Sequence, residues 1–458
     1  MMGCVSPPDR FPRPEGLPVP DTWNHGEGKP SSDAVWWSSF SSPELVGLLE
    51  EAFSANPDLM GMEARVEAAG ARARIAGADL YPTLGASLDG ARRRQNFIGF
   101  PIPGNANDVL TTRATTYGLN FATSWEIDLW GRGRAGRRAA LAESQAAEED
   151  FAMGRLSLAA QVSKAWINAV AARQQWLLAQ ETAKSFGDTA TKIQSRYQQG
   201  LRSALELQLA SNSVESAQAL VIERCQQSLQ TVQQLELLLG RYPSGNLTLD
   251  CELPLLEGSL QAGIPSQVLE RRPDLVAAER RLAAADQRLW ESKAALFPQI
   301  SLSGAAGTST AELSDLVDRD LSVWSLAGSV AQPLLQGGRL RAGVDLSKAA
   351  IREAIAQYVS ASLQAFREVE FALASEVLLK ERALRIEAAA TQSRGAMELA
   401  NRRYESGLEE LINVLESQRR SLSDATQVIA IRQAQLSNRI DLYLALGGGL
   451  MPGEAVGP

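Results

Sequence analysis

Three glycines, Gly131, Gly133 and Gly136, spell G-x-G-x-x-G between a strand-like and a helix-like run, with Glu148 and Asp150 downstream. That spacing is the chemistry of a dinucleotide cradle, in which glycines let the backbone approach a pyrophosphate at a helix N-terminus. Three features oppose it here. The strand alternates instead of being continuously apolar, the following helix is several times too long for a crossover, and no series of βαβ units follows. Glycine at this place instead lets the chain turn from strand into helix. Other reactive residues are sparse. The one histidine, His25, lies in a Pro/Gly-rich stretch, and Cys4, Cys225 and Cys251 are too scattered for a zinc spacing. No catalytic residue, metal or cofactor is expected, and the chain does not read as an enzyme. Cys225 and Cys251 either pair in an oxidising compartment or stand as separate thiols; the sequence leaves both open.

The net charge of −8, with 21% charged residues, lacks the basic footprint of a nucleic-acid binder. No run of 18 apolar residues occurs, so a membrane role requires a barrel or a lipid. Gly3-Cys4, followed by a polar, Pro-rich segment to Pro30, resembles the end of a bacterial lipoprotein signal, whose cysteine becomes acylated. Cys4 is therefore the expected lipidation site, with the rest of the export signal expected to have been trimmed.

The elements around these residues come twice. Asn56-Pro57-Asp58-Leu59 recurs as Arg272-Pro273-Asp274-Leu275, and Leu80-Tyr81-Pro82 as Leu296-Phe297-Pro298, both at an offset of 216. Arg196, Tyr197, Gly200 and Leu201 recur as Arg403, Tyr404, Gly407 and Leu408, at an offset of 207. The divisions read from this are an N-terminal acylated extended segment at 1–40, a first repeat at 41–242, a linker at 243–262, a second repeat at 263–447 and a tail at 448–458.

Each repeat opens with a helix, about 57 to 80 and 273 to 296, begun by proline, with Asn56 as a candidate cap, and ended before a proline. Two strands come next, about 83 to 94 and 115 to 129 in the first copy and 299 to 307 and 321 to 332 in the second. In the strand from Thr115, residues Tyr117, Leu119, Phe121, Trp125, Ile127 and Leu129 share one face, and Gly118, Asn120, Ser124, Glu126 and Asp128 the other. The pattern suits a bilayer-crossing strand with apolar side chains outward. Taken alone, it suits the half-buried strand of a soluble sandwich equally well.

The helices then change the balance. From about Arg134 to Gln198 there is no proline, so one helix of roughly 95 Å is possible. Within it Leu158, Val162, Ala165, Ala169, Ala172, Trp176, Ala179, Ala183, Phe186, Ala190, Ile193 and Tyr197 form a heptad seam. Its many alanines favour close packing among several helices. A partner helix at about 203 to 239 comes after it, and the second copy repeats the pair at about 339 to 404 and 409 to 446.

This order of parts resembles the TolC-type outer-membrane efflux proteins, in particular the lipoprotein branch of outer-membrane factors (NodT/OprM type) that serves tripartite efflux systems. The resemblance rests on Cys4 with its proline-rich lead, the two Pro-Asp-Leu motifs, Asp128-Leu129-Trp130-Gly131, Pro333 to Arg339, and the two Tyr-x-x-Gly-Leu turns. It implies an α+β membrane protein: a homotrimer giving four strands per chain to a 12-stranded β-barrel continuous with a long α-helical coiled-coil barrel. A lone chain's four strands cannot close a barrel, and an open edge in lipid costs several kcal/mol per unpaired group.

The resemblance further implies that the tips around Gly200, Leu201, Gly407 and Leu408 meet a periplasmic adaptor (membrane fusion) protein. The adaptor in turn serves an inner-membrane pump, of the resistance-nodulation-division type in this branch. Acidic residues six and nine positions after the tip glycine ring the entrance in such proteins; here these positions are Glu206, Asn413 and Glu416. Arg202, Arg402, Arg403 and Glu409 would form the ion pairs that hold it closed, with Tyr197 and Tyr404 bonding across it. The expected function is passive conduction of drugs or other small solutes from the pump to the exterior, in contact with outer-membrane lipid and without nucleic acid. The rival reading is a trimeric coiled-coil surface protein or adhesin with a β-anchor, opposed by the duplicated hairpin-plus-helices layout.

Overall fold

The computed structural model describes residues 18–24, 36–97, 110–256, 263 and 265–448. Cys4 lies outside them.

The chain repeats one order of elements. In the first copy these are α1 (Pro43–Ala55), α2 (Pro57–Ala78), β1 (Thr83–Phe97), β2 (Leu110–Glu126), α3 (Arg132–Gln198) and α4 (Ala204–Leu238). The second copy gives α5 (Pro265–Arg271), α6 (Pro273–Ala294), β3 (Gln299–Thr310), β4 (Ser322–Ala331), α7 (Arg339–Glu405) and α8 (Leu411–Ala445). Matching helices α3 and α7 both have 67 residues, and α4 and α8 both have 35. No described helix is long and apolar enough to cross a membrane.

Local chemistry sets these boundaries. Ser42 accepts from the Leu45 N–H at 3.2 Å ahead of Pro43, which needs no donor partner at the first turn. Asn56 caps α2 as expected, accepting from the Leu59 N–H at 3.0 Å, while its Nδ2 donates to the Leu238 carbonyl at 2.9 Å. The equivalent Arg272 makes the matching reach to the Ala445 carbonyl, at 3.3 Å, and also donates to Asp274 and Glu368, both at 2.7 Å. Burial opposes the charge of Arg272, but its two carboxylate partners raise its pKa above the ordinary value.

By contacts the chain divides into two compact units. One holds, among described residues, Glu67–Ala146 and Glu279–Gln357, and contains the sheet. Its four strands are antiparallel in the order β1-β2-β3-β4. Register assigns the faces: Leu88 pairs with Leu119, Leu119 with Thr308, and Thr308 with Ser322. One face thus carries Leu84, Leu88, Tyr117, Leu119, Phe121, Trp125, Leu302, Trp324 and Leu326. The other carries mainly Gly, Ala, Ser and Thr, with Asn120, Asp89, Arg93 and Glu126. Large apolar residues stand exposed on the first face of this single chain, among them Leu84, Phe121, Trp324 and Leu326. β1 and β4 are open edges, and a sheet of this pattern calls for further strands and for an apolar surrounding.

The alternation ends earlier than the sequence indicates. β2 stops at Glu126; Ile127 still donates to the Ile300 carbonyl at 2.9 Å, but the Leu129 N–H turns back to the Ile127 carbonyl at 2.8 Å. Leu129 therefore lies past the strand, because the chain is already bending towards α3. The glycine-rich run supplies that bend: Gly131 has φ +80, and a Cβ on Gly133 would lie 2.8 Å from Leu80. Asp128 accepts from the N–H groups of Gly133 at 3.2 Å and Arg134 at 2.9 Å. The anion position at this helix N-terminus is thus filled by the chain's own carboxylate, which is what the run accommodates in place of a pyrophosphate.

The other unit comprises the described parts of Arg13–Val66, Ala147–Ala278 and Tyr358–Pro458. The α3 seam is buried within it at Leu158, Val162, Ala165, Ala169, Ala172, Ala179, Phe186 and Ile193, while Tyr197 is exposed. A large cluster gathers Trp36, Leu45, Leu49, Leu156, Trp166, Leu235, Leu436 and Ile440; Trp166 Nε1 donates to Glu44 at 2.7 Å. Buried Glu236 accepts from the Gly245, Asn246 and Leu247 N–H groups and the Ser244 hydroxyl. Burial pushes its carboxyl up, and these donors together bring it below the ordinary value. Cys225 is exposed, Cys251 half-buried, and both are free thiols.

Candidate functional site

The tips are built from two equivalent turns. At the first, Gly200 adopts φ +71 and donates to the Tyr197 carbonyl at 2.9 Å, while the Leu201 N–H reaches the Arg196 carbonyl at 2.9 Å. At the second, Gly407 has φ +77, with matching bonds to Tyr404 at 3.1 Å and from Leu408 to Arg403 at 2.9 Å. Only glycine takes this left-handed position at no steric cost, and the paired bonds satisfy the last carbonyls of α3 and α7.

Beyond the turns the two copies diverge. Ser203 and Glu206 form a capping box: the Glu206 N–H donates to Ser203 Oγ at 3.2 Å, and the Ser203 N–H to Glu206 Oε2 at 2.9 Å. Glu206 also pairs with Arg202 at 3.2 Å, both side chains being half-buried. In the second copy the cap position is Glu410, whose side chain makes no cap bond. Asn413 instead donates to Glu409 at 2.6 Å, and Arg403 pairs with Glu409 at 3.2 Å. These hold the Glu409 carboxyl below its ordinary value, the Asn413 bond foremost. Glu416 is exposed and pairs with Arg419 on its own helix at 2.7 Å.

The tyrosines differ as well. Tyr197 is 42% exposed, whereas Tyr404 is 5% exposed within a cluster of Phe186, Ile193, Ala210, Ala217, Leu411, Val414 and Leu415 from both hairpins. Arg202 lies 4.7 Å and Arg196 5.8 Å from the Tyr404 ring centre. Burial raises the Tyr404 hydroxyl pKa, and Arg202 beside it opposes that shift. Among the described residues of the tips, the ion pair joining the two hairpins is Lys192–Glu405 at 2.7 Å. Of the residues expected from sequence, Arg202 and Tyr404 come together across hairpins, while Arg403 with Glu409 and Glu206 with Arg202 pair within one tip.

Sequence reasoning missed Lys192 and Glu405, whose pairing across 213 positions leaves no local signal. It also missed two apolar residues. Leu201 and Leu408 are each 68% exposed, as expected of contacting tips, and Leu205 and Ile412 stand one helical turn further, exposed too. The signal was present: both pairs recur at the offset of 207 that relates the turns.

An open sheet with one apolar face and one face of small polar residues, joined to helices of 67 residues, defines a subunit of a membrane channel. Known proteins agree with that class. The profile of the outer membrane efflux protein family matches residues 48–241 and 264–448, and the chain belongs to this family. It is 34% identical to outer membrane protein OprJ of Pseudomonas aeruginosa over 463 residues, covering 99% of this chain and 95% of that protein. It is 32% identical to the pyoverdine export outer membrane protein OpmQ of Pseudomonas putida, covering 98% and 95%. The crystal structure of the open state of the Neisseria gonorrhoeae MtrE outer membrane channel superposes with a TM-score of 0.84 at 28% identity, covering 98% of this chain and 99% of that one.

The protein is accordingly an efflux channel of the bacterial outer membrane with a large periplasmic helical portion. Three chains close the open sheets into one 12-stranded barrel, with a helical barrel besides, and relatives of the chain include the outer membrane protein of a toluene efflux pump. The adhesin reading falls.

Proposed function

We propose that the two helical tips form the periplasmic gate of this channel. The resting gate is held by docking of the α7–α8 tip onto the α3–α4 tip. The observation that carries this is Tyr404 seated between hairpins beneath Arg202 and Arg196, with Lys192–Glu405 beside it. A cation over an aromatic face contributes about 0.5–2 kcal/mol, and the exposed ion pair beside it adds a weaker, solvent-screened tie. Three such sets in a trimer are strong enough to hold an entrance and weak enough for a partner to release. The capping box anchors the first tip, and the second, lacking one, is the part that moves. Arg403, Glu409 and Asn413 stiffen that moving tip. Glu416, with its exposed carboxylate, lines the entrance and favours cations there; Glu206, tied into its cap, contributes less field.

Leu201, Leu205, Leu408 and Ile412 are the adaptor-contacting surface, and the pump behind the adaptor is of the resistance-nodulation-division type. Cargo is small organic solutes; the pyoverdine exported through OpmQ is one such molecule. Cys4 is acylated and, within the segment 1–40, anchors each chain to outer-membrane lipid, with 41–242 and 263–447 as the duplicated halves. Conductance in planar bilayers tests the gate: Tyr404→Ala with Lys192→Gln raises the resting conductance several-fold. Unchanged conductance in correctly assembled trimers would refute it.

A further inference from the structure

The β1–β2 ribbon runs on beyond the sheet. β3 pairs with β2 only as far as Thr310 opposite Tyr117, whereas β1 and β2 continue through Arg92↔Thr115, Arg94↔Arg113 and Asn96↔Thr111. Strand parity puts Arg92, Arg94 and Arg113 on the same face as Leu84, Leu88, Tyr117 and Phe121, the face turned to lipid. All three are exposed. Arg94 and Arg113 are direct cross-strand partners, an arrangement that like charges destabilise. No carboxylate shares that stretch of face among the described residues, and none of the three arginines makes an ion pair there; Asp89 lies on the opposite face, bonded to Ser87.

The height of this cluster is telling. Counting from Trp125 at about 3.3 Å per residue and a tilt of about 40°, Arg92 stands about 25 Å and Arg113 about 30 Å along the barrel, against an apolar band about 25 Å tall. Both strands lead back to the periplasmic helices, so this end is the outer one. The arginines sit where the hydrocarbon ends and headgroups begin.

We infer that Arg92, Arg94 and Arg113 form a binding site for the phosphorylated headgroups of outer-leaflet glycolipid, repeated three times around the barrel. Phosphate oxygens accept bidentate bonds from guanidinium groups and relieve the Arg94–Arg113 repulsion, while the acyl chains lie on Leu88 and Tyr117 below. The inference rests on the outer-membrane placement of the barrel. The test is the full trimer in phosphatidylcholine vesicles containing either bisphosphorylated lipid A or its dephosphorylated form, with lipid retained after re-extraction counted by mass spectrometry. Wild type retains the bisphosphorylated lipid selectively, R92Q/R94Q/R113Q loses about tenfold or more of it, and the triple lysine variant, which keeps the charge without the bidentate geometry, falls between the two. Conductance of the same vesicles monitors insertion separately, so a failure of barrel placement is distinguishable. Equal retention by wild type and the glutamine variant, or equal retention of the two lipids, would overturn the inference. So would displacement by millimolar inorganic phosphate as readily from detergent-solubilised trimer as from vesicles.

Discussion

The Arg202 guanidinium lies 4.7 Å from the centre of the Tyr404 ring, joining residues that stand at equivalent tips of the two repeats. The contact needs the ring and its burial more than the hydroxyl. Tyr404→Phe should therefore keep the resting conductance near wild type, whereas Tyr404→Leu, similar in apolar character but without a π face, should raise it. Single-channel recording on both variants checks this; equal leakage from the two would place the effect in packing alone.

The Lys192–Glu405 pair gives the gate an acid dependence. Hydrogen bonding to Lys192, then its charge, holds the Glu405 carboxyl below its ordinary value. A depressed carboxyl contributes its full share above the unfolded value and loses it as pH falls through the folded one. The tie is present at neutral pH and weakens only as pH falls below the ordinary carboxylate range. Conductance should rise on acidification of the tip side, and less so in Glu405→Gln, where no tie remains to be lost.

Gly240 and Gly447 are equivalents at the ends of α4 and α8, with φ +74 and +87. A Cβ on the first would lie 2.4 Å from the Ala55 carbonyl oxygen, and on the second 3.1 Å from the backbone of Arg271 and Arg272. Backbone cannot swing aside as a side-chain tip does. Gly240→Ala should lower the thermal midpoint of the trimer more than Gly447→Ala, each costing at least about 1 kcal/mol, as followed by circular dichroism.

The sidedness of the sheet predicts a contrast between neighbours. Leu119→Arg places a charge on the lipid face and should cost about 2–4 kcal/mol near the midplane. Asn120→Arg, one residue on and facing the lumen, should insert normally and instead shift ion selectivity. Yield of heat-resistant trimer and reversal potential measure the two outcomes.

The sequence by itself determined the order and duplication of the elements from α2 to α4 and from α6 to α8, though not α1, α5 or the bounds of β2, together with the two faces of β2 as far as Glu126 and the buried seam of α3. Each of these is written in a local period, 2 for strands or 3.5 for the helical seam, or in turn chemistry such as the tip glycines, so neighbouring residues suffice to specify them. Local pattern also identified Asn56 as a cap. What tertiary structure decided is which of two equivalent positions does which task. Tyr404 is buried and Tyr197 exposed; Glu206 closes a capping box while its counterpart Asn413 braces Glu409; Lys192 finds Glu405 across the chain. Register alone set Arg94 opposite Arg113. Duplicated halves begin with the same instructions, and only the packing of one hairpin against the other gives them different surroundings, so the asymmetry lies in no single segment.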